Sequence, residues 1–176
     1  MKFVPTELPG VVRLVPEPIA DARGFFARLF CPEEFADAGH PFAPVQTSLS
    51  RNRVAHTLRG LHFQAPPYAE AKIVRAVRGS VYDVVVDLRP ESPAYRRWTA
   101  ATLSAENGEA LLIPEGCAHG FLTLEDATDV LYQIDRPYTP GHARGVRWDD
   151  PALQVRWPAS PDVIAPADLA WPPLED

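Results

Sequence analysis

The stretch that decides the fold reads Lys72-Ile73-Val74-Arg75-Ala76-Val77-Arg78-Gly79-Ser80-Val81-Tyr82-Asp83-Val84-Val85-Val86-Asp87-Leu88. Two runs rich in β-branched residues flank one glycine, which predicts two strands joined as a tight hairpin at Gly79. Alternation along the second run sets Val81, Asp83, Val85 and Asp87 on one face and Tyr82, Val84, Val86 and Leu88 on the other. Both faces are largely apolar, so this strand is expected to be central and covered on both sides. Asp83 then becomes an inward carboxylate in an apolar row, which is costly without a partner. It is either a hydrogen-bonded structural aspartate or a residue that orients a histidine, with His119 the best candidate.

Outward from this pair, short apolar runs recur with turn signals between them, the spacing of an all-β sandwich or barrel. Strands are expected at 11–15, 24–30, 45–50, 57–64, 98–103, 110–113, 120–124, 129–134 and 145–148. Glu106-Asn107-Gly108 reads as a turn, because Asn-Gly tolerates positive φ. The one convincing short helix is Pro32 to Ala38, opened by proline and closed near Gly39. From Asp149 onward the chain is rich in proline and is expected to wrap the barrel as an ordered arm (149–176). No internal repeat divides the sequence, and a single domain over residues 1–176 is expected.

Composition narrows the function. Hydrophobic residues make up 46% of the chain, which suits an ordinary core. No run approaches the length of a membrane span, and residues 1–7 lack the long apolar segment of a signal peptide. Cys31 and Cys117 are too few for a disulfide scaffold or a cysteine zinc site, so a reduced, cytoplasmic setting is expected. The net charge of −6 argues against nonspecific nucleic-acid binding. It leaves room for a small anionic ligand held by a local cluster of arginines.

Chemistry-bearing residues concentrate in Thr57-Leu58-Arg59-Gly60-Leu61-His62-Phe63-Gln64, Ala65-Pro66-Pro67 and Glu70-Ala71-Lys72. Lys72 and Lys2 are the two lysines among 17 basic residues. Lysine performs chemistry that arginine does not, so Lys72 is a candidate for function. Strict alternation would send Arg59 and His62 to opposite faces. For both to reach one cavity the strand must bulge or bend near Gly60, where glycine permits it. A second block, Ile113-Pro114-Glu115-Gly116-Cys117-Ala118-His119-Gly120-Phe121, places His119 between small neighbours that leave room for approach. Tyr132 shares parity with Val130 and Ile134 and is expected to face the interior. By itself it reads as a packed aromatic.

Several blocks together resemble the dTDP-4-dehydrorhamnose 3,5-epimerase family. They are Arg23-Gly24-Phe25-Phe26, Leu58 to Gln64, Lys72-Ile73-Val74-Arg75, Asp83 to Arg89, Leu103 to Asn107, Ile113 to Gly116, Ala118 to Phe121 and Trp148 to Pro151. The resemblance implies a cupin-like jelly-roll β-barrel, a homodimer, and epimerisation at C3, C5 or both of a nucleoside-diphosphate 4-keto-6-deoxy sugar. It implies no metal and no organic cofactor. His62 is similar to the family's base, Asp168 to the aspartate paired with it, and Tyr132 to the proton donor. Lys72 matches the residue beside the keto oxygen. Arg59 and His119 match substrate-binding positions, as do Arg23 near the diphosphate and Gln46 near the sugar or nucleotide. Arg28, Ser48 and Tyr138 fall at further contact positions.

These residue types suit the chemistry. A C–H beside a ketone becomes acidic only if the enolate oxygen is stabilised as the proton leaves, and an ammonium ion supplies that. A neutral imidazole suits abstraction near neutral pH. Inversion needs a second donor on the opposite face of the ring. The chain departs from the family pattern at Arg28, Ser48, Ala143 and Ala167, where glutamate, asparagine, glutamate and lysine are usual. Two other classes stay open: a metal-dependent cupin enzyme built on His62, His119 and Glu70, and a noncatalytic sugar-nucleotide-binding jelly roll. Against the first, Phe63-Gln64 breaks the His-x-His that such metal sites favour.

Overall fold

Gly79 turns the chain sharply, but the strands it joins do not pair with each other. The computed structural model describes residues 1–174. Its strands are β1 (Lys2–Pro5), β2 (Val12–Val15), β3 (Ile19–Asp21), β4 (Gly24–Phe26), β5 (Gln46–Asn52), β6 (Thr57–Gln64) and β7 (Lys72–Arg78). They continue as β8 (Ser80–Asp87), β9 (Trp98–Ser104), β10 (Ala110–Ile113), β11 (Cys117–Thr123), β12 (Thr128–Ile134), β13 (Ala143–Gly145) and β14 (Val163–Ile164). Two short helices are α1 (Pro32–Asp37) and α2 (Pro166–Leu169). One sheet runs β1-β2-β10-β7-β12-β5, and the other runs β13-β6-β11-β8-β9 with β14 added beside β6.

The hairpin expected at Gly79 is therefore corrected. Lys72–Arg78 joins the first sheet and Ser80–Asp87 the second, so Gly79 is a corner between sheets. Its φ is +68°, and a Cβ there would lie 2.3 Å from Thr128 Oγ1, so only glycine fits this corner. The Asn107-Gly108 turn is a second such corner, between β9 and β10. Asn107 Oδ1 accepts from the amides of Ser104 (3.1 Å) and Glu109 (2.9 Å) there. Strands that pass between two facing sheets in this way make a jelly roll.

Three apolar layers hold the sheets. Between them lie Val74, Ala76, Leu111, Ile113 and Val130 of the first sheet and Val81, Val85, Leu103, Cys117 and Phe121 of the second. Outside the first sheet, Phe35 of α1 packs with Phe42, Phe30 and Phe3 over Val12, Leu14, Ile73 and Leu112. Outside the second, Val146, Leu153, Val155, Trp157 and Leu174 of the C-terminal arm cover Leu61, Val84, Val86 and Ala118. The alternation read from 80–88 holds: Val81 and Val85 face inward, Val84 and Val86 face the arm, and the strand is covered on both sides. The arm is tied down where Trp157 Nε1 donates to Trp148 O (2.9 Å), where the Leu174 amide donates to Asp150 Oδ2 (2.7 Å), and by the parallel β14–β6 pairing.

At one end the interior turns polar. On β5, Gln46, Ser48, Ser50 and Asn52 point inward and alternate with exposed Thr47, Leu49 and Arg51. That row lies on the inner face of the first sheet beside β12 and β7, and β6 belongs to the facing sheet.

Candidate active site

The site begins with a fault in β6. His62 lies opposite His119 and Arg59 opposite Phe121, so Gly60 and Leu61 together oppose Gly120 alone. This is the bulge that the Arg59–His62 spacing requires. Gly60 has φ +118°, and a Cβ on it would lie 2.5 Å from Gly120 Cα; one on Gly120 would lie 2.6 Å from Arg59 O. Two glycines let the backbones meet, and Leu61 turns outward to the arm. On the inner side, Arg59 Nε donates to Asn52 Oδ1 (2.8 Å), which fixes the guanidinium from β5.

A cavity of about 340 Å3 opens beside the bulge. His62 of β6, Lys72 of β7, Tyr132 of β12, Gln46 of β5 and Tyr138 line it, so five of the residues singled out in the sequence meet there. Lys72 Nζ donates to Glu70 Oε1 at 2.7 Å, and both side chains are buried. Asp168, on α2 of the arm, accepts from the Gly60 amide at 3.2 Å, which places its carboxylate at the bulge. Asp83 finds its partner in His119: Oδ2 and Nε2 lie 2.8 Å apart, with both side chains buried. The His119 ring meets the Tyr132 ring edge-on, centroids 6.0 Å apart at 77°. Ser48 accepts from Gln46 Nε2 at 3.2 Å.

Arg23 and Arg28 stand away from this cavity. Arg23, at the tip of the β3–β4 hairpin, chelates Asp21 and is 90% exposed. Arg28 pairs with Glu34 of α1 at 2.6 Å.

Electrostatics divide the titrating groups. Burial, reinforced by the Lys72 charge, pushes His62 down to about 4, and the Asp168 carboxylate opposes that shift. His62 is therefore a neutral imidazole at physiological pH. Burial also raises the Tyr132 hydroxyl well above its usual range; Asp83 adds to the rise and Arg59 opposes it. Tyr132 stays protonated at any working pH. A neutral base and a protonated hydroxyl thus share one cavity with an ammonium ion, the set required to remove and return a proton beside a carbonyl. Among the described residues, no three His, Cys, Asp or Glu side chains gather closely enough to hold a metal ion.

The structure adds residues that sequence reasoning left aside. Gln64 fastens the rim: Nε2 donates to Tyr68 O (3.2 Å) and Pro137 O (3.3 Å), and Oε1 accepts from the Thr139 amide (2.7 Å). Its parity with His62 along β6 was the available signal. Glu70, weighed from the sequence only as a metal ligand beside His62 and His119, shares parity with Lys72 in the same way. Trp171 lines the cavity from the arm, its ring 2.6 Å from where a Gly145 Cβ would stand. Its reach depends on how the arm folds back, which no local pattern gives.

Comparison with known proteins settles the kinship of this chain. Residues 5–176 match the family model described as dTDP-4-dehydrorhamnose 3,5-epimerase. The chain belongs to that family. An epimerase of this name from Sinorhizobium fredii is 39% identical over 175 residues, covering 99% of this chain and 90% of the relative. The crystal structure of the Bacillus anthracis enzyme, with TDP and PPi bound, superposes with a TM-score of 0.95 at 38% identity, covering 98% of this chain and 99% of that one. The Legionella pneumophila enzyme, in complex with dTDP-4-keto-L-rhamnose, gives a TM-score of 0.91 at 32% identity, covering 98% and 92%. The cupin-like jelly roll of the family is the fold of this chain.

Proposed function

We propose that this chain epimerises a nucleoside-diphosphate 4-keto-6-deoxy sugar, of the dTDP-4-dehydrorhamnose type, at C3, C5 or both. The observation that carries the reading is the meeting of His62, Lys72 and Tyr132 on one cavity, with the Asp168 carboxylate beside the base, in a chain of this family. His62 removes the proton next to the ketone. Asp168 stabilises the imidazolium that results. Lys72 donates to the ketone oxygen as it becomes an enolate, where preorganised positive charge contributes most. Tyr132 returns a proton from the opposite side. His119, held by Asp83, and Arg59, held by Asn52, present donors to the sugar and its phosphates. Gln46, Ser48 and Tyr138 serve the sugar and nucleoside. No metal or organic cofactor takes part in this reading.

The active unit is read as a homodimer. The β3–β4 hairpin exposes Ile19, Phe25 and Phe26, each about 70% open, which is a large apolar surface for a lone chain. A second copy seated there would bring Arg23, and with it Arg28, toward the diphosphate. Both cysteines are free, in keeping with a reducing cytoplasmic setting. No helix among the described residues is long and apolar enough to cross a membrane.

Incubation with dTDP-4-keto-6-deoxyglucose, followed by NMR of the product, tests the reading. Inversion at C3 or C5 is expected. Binding without any change of configuration would leave a noncatalytic sugar-nucleotide-binding protein.

A further inference from the structure

We propose that Glu70 is a positioning residue of this site, acting through Lys72: it fixes the ammonium ion at the cavity wall where the substrate's oxygen will arrive. The inference rests on the epimerase reading above.

Alternation decides which way this segment faces. Ala71 and Ile73 join the apolar layer outside the first sheet, so Glu70 and Lys72 both point into the cavity. Lys72 opens β7 at one end of that sheet and is paired on both sides, opposite Ile113 of β10 and Ile134 of β12. The turn that leads into it is pinned as well. The Ala71 amide donates to Asp135 Oδ1 (2.8 Å), and the Asp135 amide donates to Ala71 O (3.2 Å). Glu70 therefore has a fixed backbone at the point where β7 begins, and its carboxylate meets Nζ at 2.7 Å.

The pair answers two physical needs. The Lys72 side chain is 5% exposed, and a buried ammonium ion without a counter-charge is strongly disfavoured. Glu70, 9% exposed, supplies that counter-charge. Lysine is also a flexible four-carbon arm, and ordering it during the reaction would cost rotamer freedom. A carboxylate that accepts one of its three N–H bonds orders the arm beforehand and leaves two donors for a ligand oxygen. Stabilisation of an enolate depends on such prior placement, because a donor displaced by about 1 Å can cost ~10²-fold in rate.

A mutant cycle in Glu70 and Lys72 tests this. Glu70→Ala should lower kcat ~10–100-fold while KM moves less than ~3-fold, since the lost interaction belongs to the reacting state. Glu70→Gln keeps an acceptor for Nζ but not the counter-charge, and should recover part of that loss. In a Lys72→Met background, Glu70→Ala should cost nothing further, because its effect runs through the lysine. Thermal unfolding and TDP binding establish that each variant is folded. An undiminished kcat in Glu70→Ala, no recovery in Glu70→Gln, or an equal loss in the Lys72→Met background would each overturn the inference. A wild-type protein with no turnover at all would instead refute the epimerase reading beneath it.

Discussion

At the scale of the residue, two groups in one cavity are held in opposite roles by the same cause. Burial keeps His62 unprotonated and Tyr132 protonated. The acid limb of kcat/KM should therefore lie near pH 4, where His62 takes up its proton, and not near the usual imidazole range. Above that limb the neutral base is present; activity is lost as pH falls through it. A pH–rate profile with its acid limb at the ordinary imidazole value would mean the cavity does not desolvate His62. Tyr132→Phe separates the two halves of the reaction. The enolate can still form and be reprotonated from its original side, so label from deuterated buffer should enter while inversion at C5 is lost. Normal C5 inversion in that variant would return Tyr132 to the role of a packed aromatic. Lys72→Met should lower kcat far more than it weakens substrate binding.

Residue types and parity carried much of this in advance. For Arg59 and His62 to reach one cavity the strand had to bulge or bend near Gly60; the bulge is there, and His62 lines the cavity while Arg59, more exposed, is held by Asn52. The Asp83 carboxylate in an apolar row demanded a partner, and His119 lies 2.8 Å away. What parity could not supply was reach. Trp171 enters the cavity from a proline-rich arm whose path depends on tertiary packing. Arg23 and Arg28 carry charges suited to a diphosphate but line no part of the cavity and pair instead with Asp21 and Glu34 of their own chain.

At the scale of the element, β6 and its glycines set the geometry. Gly60 combines positive φ with a backbone so close to Gly120 that a Cβ on it would lie 2.5 Å from Gly120 Cα. Gly60→Ala should destabilise the fold by about 2–4 kcal/mol and abolish activity in whatever fraction folds, as read by chemical denaturation and turnover. A Gly60→Ala protein with native stability and rate would show that the bulge does not position His62. The same element scale exposes the misreadings: the strand expected at 24–30 stops at Phe26, the one expected at 145–148 is instead Ala143–Gly145, and the hairpin expected at Gly79 is a corner. A glycine between two β-branched runs looks alike whether the strands pair or pass to different sheets, because local sequence records the turn and not the partners. Gly79 is the second kind, recognisable only once Thr128 is seen pressed against it. Strands such as β1 and β3 were likewise hidden, being short, ended by Pro5 or preceded by Pro18, and held by pairing instead of alternation.

At the scale of the whole molecule, the arm packs on the second sheet of the jelly roll and completes the site. Removing residues 163–174 would take away Asp168 and the wall that Trp171 forms. A charge placed on the exposed hairpin, Phe25→Asp with Phe26→Asp, should yield monomers by light scattering and weaken nucleotide binding. Retention of a dimer would move the interface elsewhere. Prolonged chelation should leave turnover unchanged, since the proton transfers proposed need only the side chains of the cavity; loss on chelation, restored by one transition metal, would contradict the mechanism. The central claim is that His62 takes the proton beside the ketone. It is tested most directly by NMR of dTDP-4-keto-6-deoxyglucose in deuterated buffer with wild-type and His62→Ala proteins. The wild type should wash deuterium into C3, C5 or both, and the variant should slow that exchange by ~10²-fold or more. Full exchange in His62→Ala would contradict the account.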